Sequence, residues 1–84
     1  MASFDGICEI RRAGVSPEGL AQLDLRDVGG RFDWNWFLSA DNLGREMLAT
    51  ALAAVVSNKQ LAVQISNLTN PPAWSRVNRL LVIR

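Results

Sequence analysis

Two carboxylates, Asp24 and Asp33, stand on either side of a glycine pair, Gly29-Gly30. If the glycines turn a hairpin, the acids become cross-strand neighbours, and two close carboxylates can work as a general acid and base. Arg26 and Arg31 lie beside them, and a cross-strand ion pair on a wetted face is the ordinary use of such a set. Cys8 is the single thiol, so no internal disulfide can form. Strand alternation puts it on the core side, where a free cysteine is an inert small hydrophobe. The chain has no histidine and no tyrosine. No Gly-x-Ser-x-Gly setting activates a serine, and the glycine pair opens no helix that would cradle a phosphate. A zinc site would need mostly carboxylate ligands. These residues point to no enzyme, no metal and no cofactor.

The aromatic residues carry the other possible chemistry. Phe32, Trp34, Trp36 and Phe37 crowd into one short stretch, and Trp74 follows a proline pair. Exposed indoles stack on bases or sugars, as small barrels that bind oligonucleotides show. Alternation instead places Phe32, Trp34, Trp36 and Leu38 on one wholly apolar side, which predicts a core role. Phe37 falls on the other side with Asp33, Asn35 and Ser39, where a lone aromatic suits a ligand or interface contact. Trp74 suits either a plug at a barrel end or a ligand contact. Arg76, Arg79 and Arg84 gather near the end with no acid among them. Such arginines guard an edge strand or bind phosphates.

The elements that position these residues follow from periodicity. Residues 4–12 alternate, with Phe4, Cys8 and Ile10 on one side. Residues 20–28 put Ala21, Leu23 and Leu25 inward, and the glycine pair predicts a tight hairpin turn into residues 31–39. The period then changes to that of a helix over residues 42–58, with Leu43, Met47, Ala51 and Val55 at four-residue steps and Leu48 and Leu52 beside them. Ser39 or Asp41 suits its N-cap, Asn58 a left-handed C-cap, and Ala49, Ala53 and Ala54 form a small face. Two more strands are predicted over 61–68 and 77–83, joined by a proline-stiffened loop.

Eighty-four residues make one domain, 1–84, with a small core and a thin stability margin. A domain of this size without disulfide or metal leans on a partner subunit. Its net charge of +1 gives no field that would draw in nucleic acid or anionic lipid. No window has the apolar length of a membrane span, and the opening residues lack the pattern of a signal peptide. A cytoplasmic setting is the default expectation, with export of a processed form as the other option. The predicted order is βββαββ: an α+β domain, a five-stranded antiparallel OB-like barrel with one helix between strands three and four. The other arrangement is a helix lying across an open sheet.

The stretches Trp36-Phe37-Leu38, Met47-Leu48-Ala49-Thr50-Ala51-Leu52-Ala53-Ala54, Asn58-Lys59-Gln60-Leu61-Ala62-Val63 and Val77-Asn78-Arg79-Leu80-Leu81-Val82-Ile83 resemble a group of small bacterial OB-fold proteins similar to the receptor-binding B subunits of AB5 toxins. The resemblance implies an OB fold, a ring-shaped homo-oligomer, and recognition of a glycan or protein. Those subunits are exported and usually carry a disulfide, whereas this chain has one cysteine, so only the architecture carries over.

The expected function is a non-enzymatic binding module working as a homo-oligomer, a ring by resemblance or a dimer by general symmetry. Its expected ligand surface is Asp24, Arg26, Asp33, Asn35 and Phe37 on the outer side of strands two and three, with Trp74. The alternative is a single-stranded nucleic-acid-binding OB domain using Arg26, Arg31, Arg76 and Arg79, with Phe37 or Trp74 as stacking groups; the near-neutral charge weighs against it.

Overall fold

The computed structural model describes residues 2–40, 43–69 and 72–83. The elements are β1 (Ala2–Val15), β2 (Ala21–Asp27), β3 (Asn35–Ser39), α1 (Gly44–Ser57), β4 (Gln60–Leu68), β5 (Arg76–Val77) and β6 (Arg79–Ile83). They form an α+β domain with one helix and one six-stranded sheet, in the order β5-β3-β2-β1-β4-β6. The chain order is therefore βββαβββ, not the predicted βββαββ. The expected last strand is broken at Asn78, and the break has a purpose. Asn78 N–H donates to Gln64 O, and its side-chain Oδ1 accepts from Ser66 N–H. Before it, β5 runs parallel to β3; after it, β6 runs antiparallel to β4. One residue thus hands the chain from one end of the sheet to the other, leaving a nearly closed barrel. The β3–β5 pair also makes the sheet mixed, where an antiparallel one was predicted. The handover switches the inward side too. Val77 and then Leu80 are buried, while Leu81, which unbroken alternation would put on the side of Val77, is exposed.

β1 is long because it serves two neighbours. Its first half pairs with β4 and its second half with β2. A bulge between Ile10 and Arg12 in the β2 ladder marks the bend; bulges kink a strand and raise its twist. The β2–β3 connection is wider than a two-glycine turn. Asp27 organises it: its carboxylate accepts from Gly29 N–H and Arg31 N–H, and its own N–H donates to Phe32 O. Gly30 takes a φ of +87°, a backbone state that glycine reaches without strain.

The inward pattern of β1, β2 and β4 follows the alternation: Phe4, Cys8, Ala21, Leu23, Leu25, Leu61, Val63 and Ile65 are all core residues. β3 does not follow it. Phe37 is directly opposite Leu23, and Trp36 is opposite Asp24. Opposed residues share a face, so Phe37 points inward with Leu23 and is fully buried. Trp34, Trp36 and Leu38 are half-buried on the outer face, which reverses the predicted side. Phe32 is still inward because the chain turns between it and β3. Asp33 Oδ1 accepts from Trp34 N–H, and Asn35 Nδ2 donates to Asp33 O. The turn breaks the alternation, so both Phe32 and Phe37 reach the core. There Phe32 meets Phe4 edge-on at 5.1 Å between ring centres and Phe37 at 5.0 Å. The chemistry favours this exchange. A buried indole must find an acceptor for its N–H, whereas a phenyl ring needs none.

α1 follows β3 and packs against β1, β2 and β6. Met47, Ala51 and Ala54 are its buried residues; Leu52 and Val56 are exposed. Asn58 closes it in the left-handed conformation, as predicted. Its N-cap is Leu43, without a side-chain bond. Ser39, a predicted cap, lies in β3 and accepts from Ala21 N–H instead, and Asp41 lies outside the described residues. Gly44 admits close approach here: a Cβ on it would stand 3.0 Å from Gly19 O.

Candidate functional site

The outer face of β1, β2 and β3 carries a connected ladder of arginines, indoles and acids. The β1 bulge starts it. Two consecutive strand residues ordinarily point to opposite faces, but the extra residue brings Arg11 and Arg12 to the same side. Both reach one oxygen of Asp24: Arg11 Nε donates to Oδ2 at 2.7 Å and Arg12 Nε at 3.0 Å. The Asp24 side chain is 2% exposed, against 50% and 59% for the arginines. A carboxylate so deeply covered needs its partners, and two guanidiniums supply them.

The indoles are interleaved with these charges. The Arg11 guanidinium lies 4.5 Å from the centre of the Trp34 ring, and Arg26 lies 5.5 Å from the same ring. Arg12 lies 5.0 Å from the Trp36 ring. Each such contact is worth about 0.5–1 kcal/mol at an exposed site. Arg26 also pairs with Glu9, closing the ladder on β1. The face is thus ordered although it is wet, because each of the three arginines is held at two points.

Grooves open near this face and at the β5–β6 end of the chain. One, about 540 Å³, runs from the ladder to the α1–β4 turn, between Glu9, Arg11, Trp34, Asn58, Lys59 and Gln60. A second, about 380 Å³, lies beside the β2–β3 loop at Arg26, Asp27, Phe32 and Asp33. A third, about 210 Å³, lies at Trp74, Arg76 and Asn78.

The predicted site residues do not form one patch. Asp24 and Arg26 belong to the ladder. Asp33 lies outside β3 at the second groove, so the Asp24–Asp33 carboxylate pair is not assembled; Asp24 is opposite Trp36 and is held from β1, not by Arg26 or Arg31. Asn35 is half-buried and is bound to Asp33 O. Phe37 is 0% exposed and leaves the surface altogether, for the reason of register given above. Trp74 is 50% exposed at the third groove, more open than a plug. Arg31 donates to Ser3 O, Arg79 opens β6, and Arg84 lies outside the described residues. The residues that pattern reading missed are Arg11, Arg12, Trp34 and Trp36. Their signal was the Arg-Arg doublet, which stops the alternation of the first strand where the bulge falls.

Cys8 is buried, and burial pushes its thiol up to about 12, with the negative charge of Asp27 adding to the effect. It is therefore protonated and unreactive at neutral pH. Among the described residues no group of three or more Cys, Asp or Glu side chains is placed to hold a metal ion, and no helix is long and apolar enough to cross a membrane. Comparison with protein families, curated proteins and solved structures finds no match for this chain.

Proposed function

We propose that this chain is a non-enzymatic binding module, an OB-like barrel that works as a homo-oligomer and recognises a glycan or protein. The observation that supports assembly is apolar surface on two neighbouring elements. Leu52 and Val56 on α1 are 43% and 86% exposed, and Leu81 and Val82 on β6 are 47% and 39% exposed. β6 is the last strand of the sheet, with β4 as its one strand neighbour among the described residues. An apolar strand with an unpaired edge is an aggregation hazard unless something covers it. A second copy of the chain is the economical cover, in a ring or a two-fold dimer. Recognition then falls to the ladder face, since tryptophan and arginine are the side chains that dominate binding surfaces.

Light scattering at low and high micromolar concentration tests this reading. A stable multiple of the chain mass is expected, with Val56→Lys and Leu81→Lys shifting it toward the monomer. A monomer at every concentration would overturn it.

The alternative, a single-stranded nucleic-acid-binding domain, draws on Trp34 and Trp36 lying two positions apart between arginines on one face. The guanidiniums already cover those rings, and stacking on bases needs them open. Salt-dependent binding of an oligonucleotide would favour the alternative over glycan or protein recognition.

A further inference from the structure

We propose that the groove between the ladder and the α1–β4 turn binds a small ligand through a phosphate or carboxylate group, with Arg11 and Lys59 facing the anion. This rests on the reading of the chain as a binding module, but not on its assembly, because every wall residue comes from one chain.

Arg11 is already positioned for the task. Asp24 holds its Nε edge, and its Cζ lies over the Trp34 ring. A guanidinium has five N–H donors, so four are left once Nε is spent on Asp24, on a side chain that is half exposed. A guanidinium held this way loses little freedom when it grips an anion, which is where a flexible arginine gives up affinity. Lys59 lines the same groove. Its N–H donates to Ala54 O at 2.9 Å in the turn that follows the left-handed Asn58. Its ammonium has no ion-pair partner among the described residues. The acid in the wall, Glu9, is committed to Arg26. The groove thus offers two cations and an acid that is already neutralised.

The other walls define the rest of the ligand. Asn58 and Gln60 present neutral amides, which suit hydroxyl groups, and Trp34 with Ile10 and Ile83 gives an apolar side. A volume of about 540 Å³ falls within the range of small-molecule sites, about 300–1,000 Å³. A polyanion would need the long-range field that a net charge of +1 does not give. The fit is to one anionic group on a hydroxylated body.

The test is a titration of the whole chain in low-salt buffer with inorganic phosphate, glucuronate and glucose, read by NMR at the tryptophan indole N–H signals. Phosphate or glucuronate should shift the Trp34 signal saturably, and which of them binds more tightly assigns the anion; glucose should leave the signal in place. Lys59→Gln should weaken binding about tenfold, the loss of one charge-assisted hydrogen bond. Arg11→Gln should weaken it at least as much, with Arg12 still holding Asp24. Arg45→Gln, on α1 away from the groove, should change nothing. No saturable shift with either anion, or an affinity that Lys59→Gln leaves unchanged, would overturn the assignment. Val56→Lys separates the two proposals: a monomeric variant that still binds the anion keeps the groove, and an oligomer that binds neither anion removes it.

Discussion

Arg12 and Asp24 face each other directly across the β1–β2 ladder, and Arg11, the residue at the bulge, reaches the same carboxylate oxygen. Sharing one buried acceptor makes the two arginines substitutes for each other. Arg11→Ala or Arg12→Ala alone should cost less than about 1 kcal/mol, since the remaining guanidinium still holds Asp24 and both arginines are half in water. The double variant strands a buried carboxylate, at about 3–5 kcal/mol. Urea unfolding of the two single variants and the double closes the cycle, with an expected coupling of about 1–3 kcal/mol. Costs that simply add would mean that the two arginines do not share Asp24.

The reversed face of β3 makes its own prediction. Phe37 is fully buried between Leu23 and the Phe32 ring, so Phe37→Ala should cost about 3–5 kcal/mol. Trp36 is only half-buried and its contact is an arginine, so Trp36→Leu should cost about 1 kcal/mol. In a domain this small, each kcal/mol moves the thermal midpoint by about 4–8 °C. Thermal unfolding followed by circular dichroism should therefore show Trp36→Leu a few degrees below the parent and Phe37→Ala far below it. The opposite ranking would put the indoles back in the core.

That reversal shows where the chain could be read and where it could not. Leu23, Leu25, Leu61, Val63 and Ile65 lie inward as their alternation predicts, because the period runs unbroken through these residues. The helix and its Asn58 cap were legible for the same local reason. Alternation fails where a strand is interrupted, as it is by the turn at Asp33, by the bulge at Arg11, and by the handover at Asn78. The bulge and the handover depend on partners far along the chain, Asp24 for one and Gln64 and Ser66 for the other, while the turn is held by Asp33 with its neighbours Trp34 and Asn35, and a strict two-residue period reveals none of them. Hydrophobicity misleads as well. Tryptophan counts as apolar in a pattern, but a ring covered by guanidiniums satisfies the same preference on the outside. Alternation therefore sends Phe37 outward and the indoles inward, the reverse of what register imposes on β3, while Asp24 and Arg26 lie on the outer face as the alternation of β2 predicts.

Cys8 gives the barrel a pH dependence at the alkaline end. Burial, aided by the charge of Asp27, raises its thiol from 9.0 to about 12. The folded chain keeps the proton where an unfolded chain loses it. The stability contributed by this group is therefore complete below pH 9 and is lost as the pH rises from 9 toward 12, at about 1.4 kcal/mol per pH unit. Cys8→Ala removes that slope. Once the constant cost of the smaller side chain is subtracted, the urea midpoints of parent and variant should coincide below pH 9 and separate above it, with the parent falling. Parallel curves would show that the thiol ionises as freely in the barrel as in water.

Trp74 occupies a conformation that bulky side chains avoid, with φ of 68°. The left-handed region costs a residue with a Cβ about 1–2 kcal/mol, and glycine almost nothing. What holds Trp74 there is its backbone: its N–H donates to Trp36 O at 2.6 Å, and the next residue, Ser75, gives its carbonyl to Leu38 N–H. Those bonds stitch the loop to the open edge of β3, just ahead of its pairing with β5. Trp74→Ala and Trp74→Gly remove the same indole and keep the same N–H, so their difference isolates the backbone cost. Trp74→Gly should be the more stable by about 1 kcal/mol, the reverse of the ordinary order of alanine and glycine. Equal stabilities, or alanine ahead, would mean that the loop reaches β3 with an ordinary backbone and that the indole is not held out at the third groove under strain.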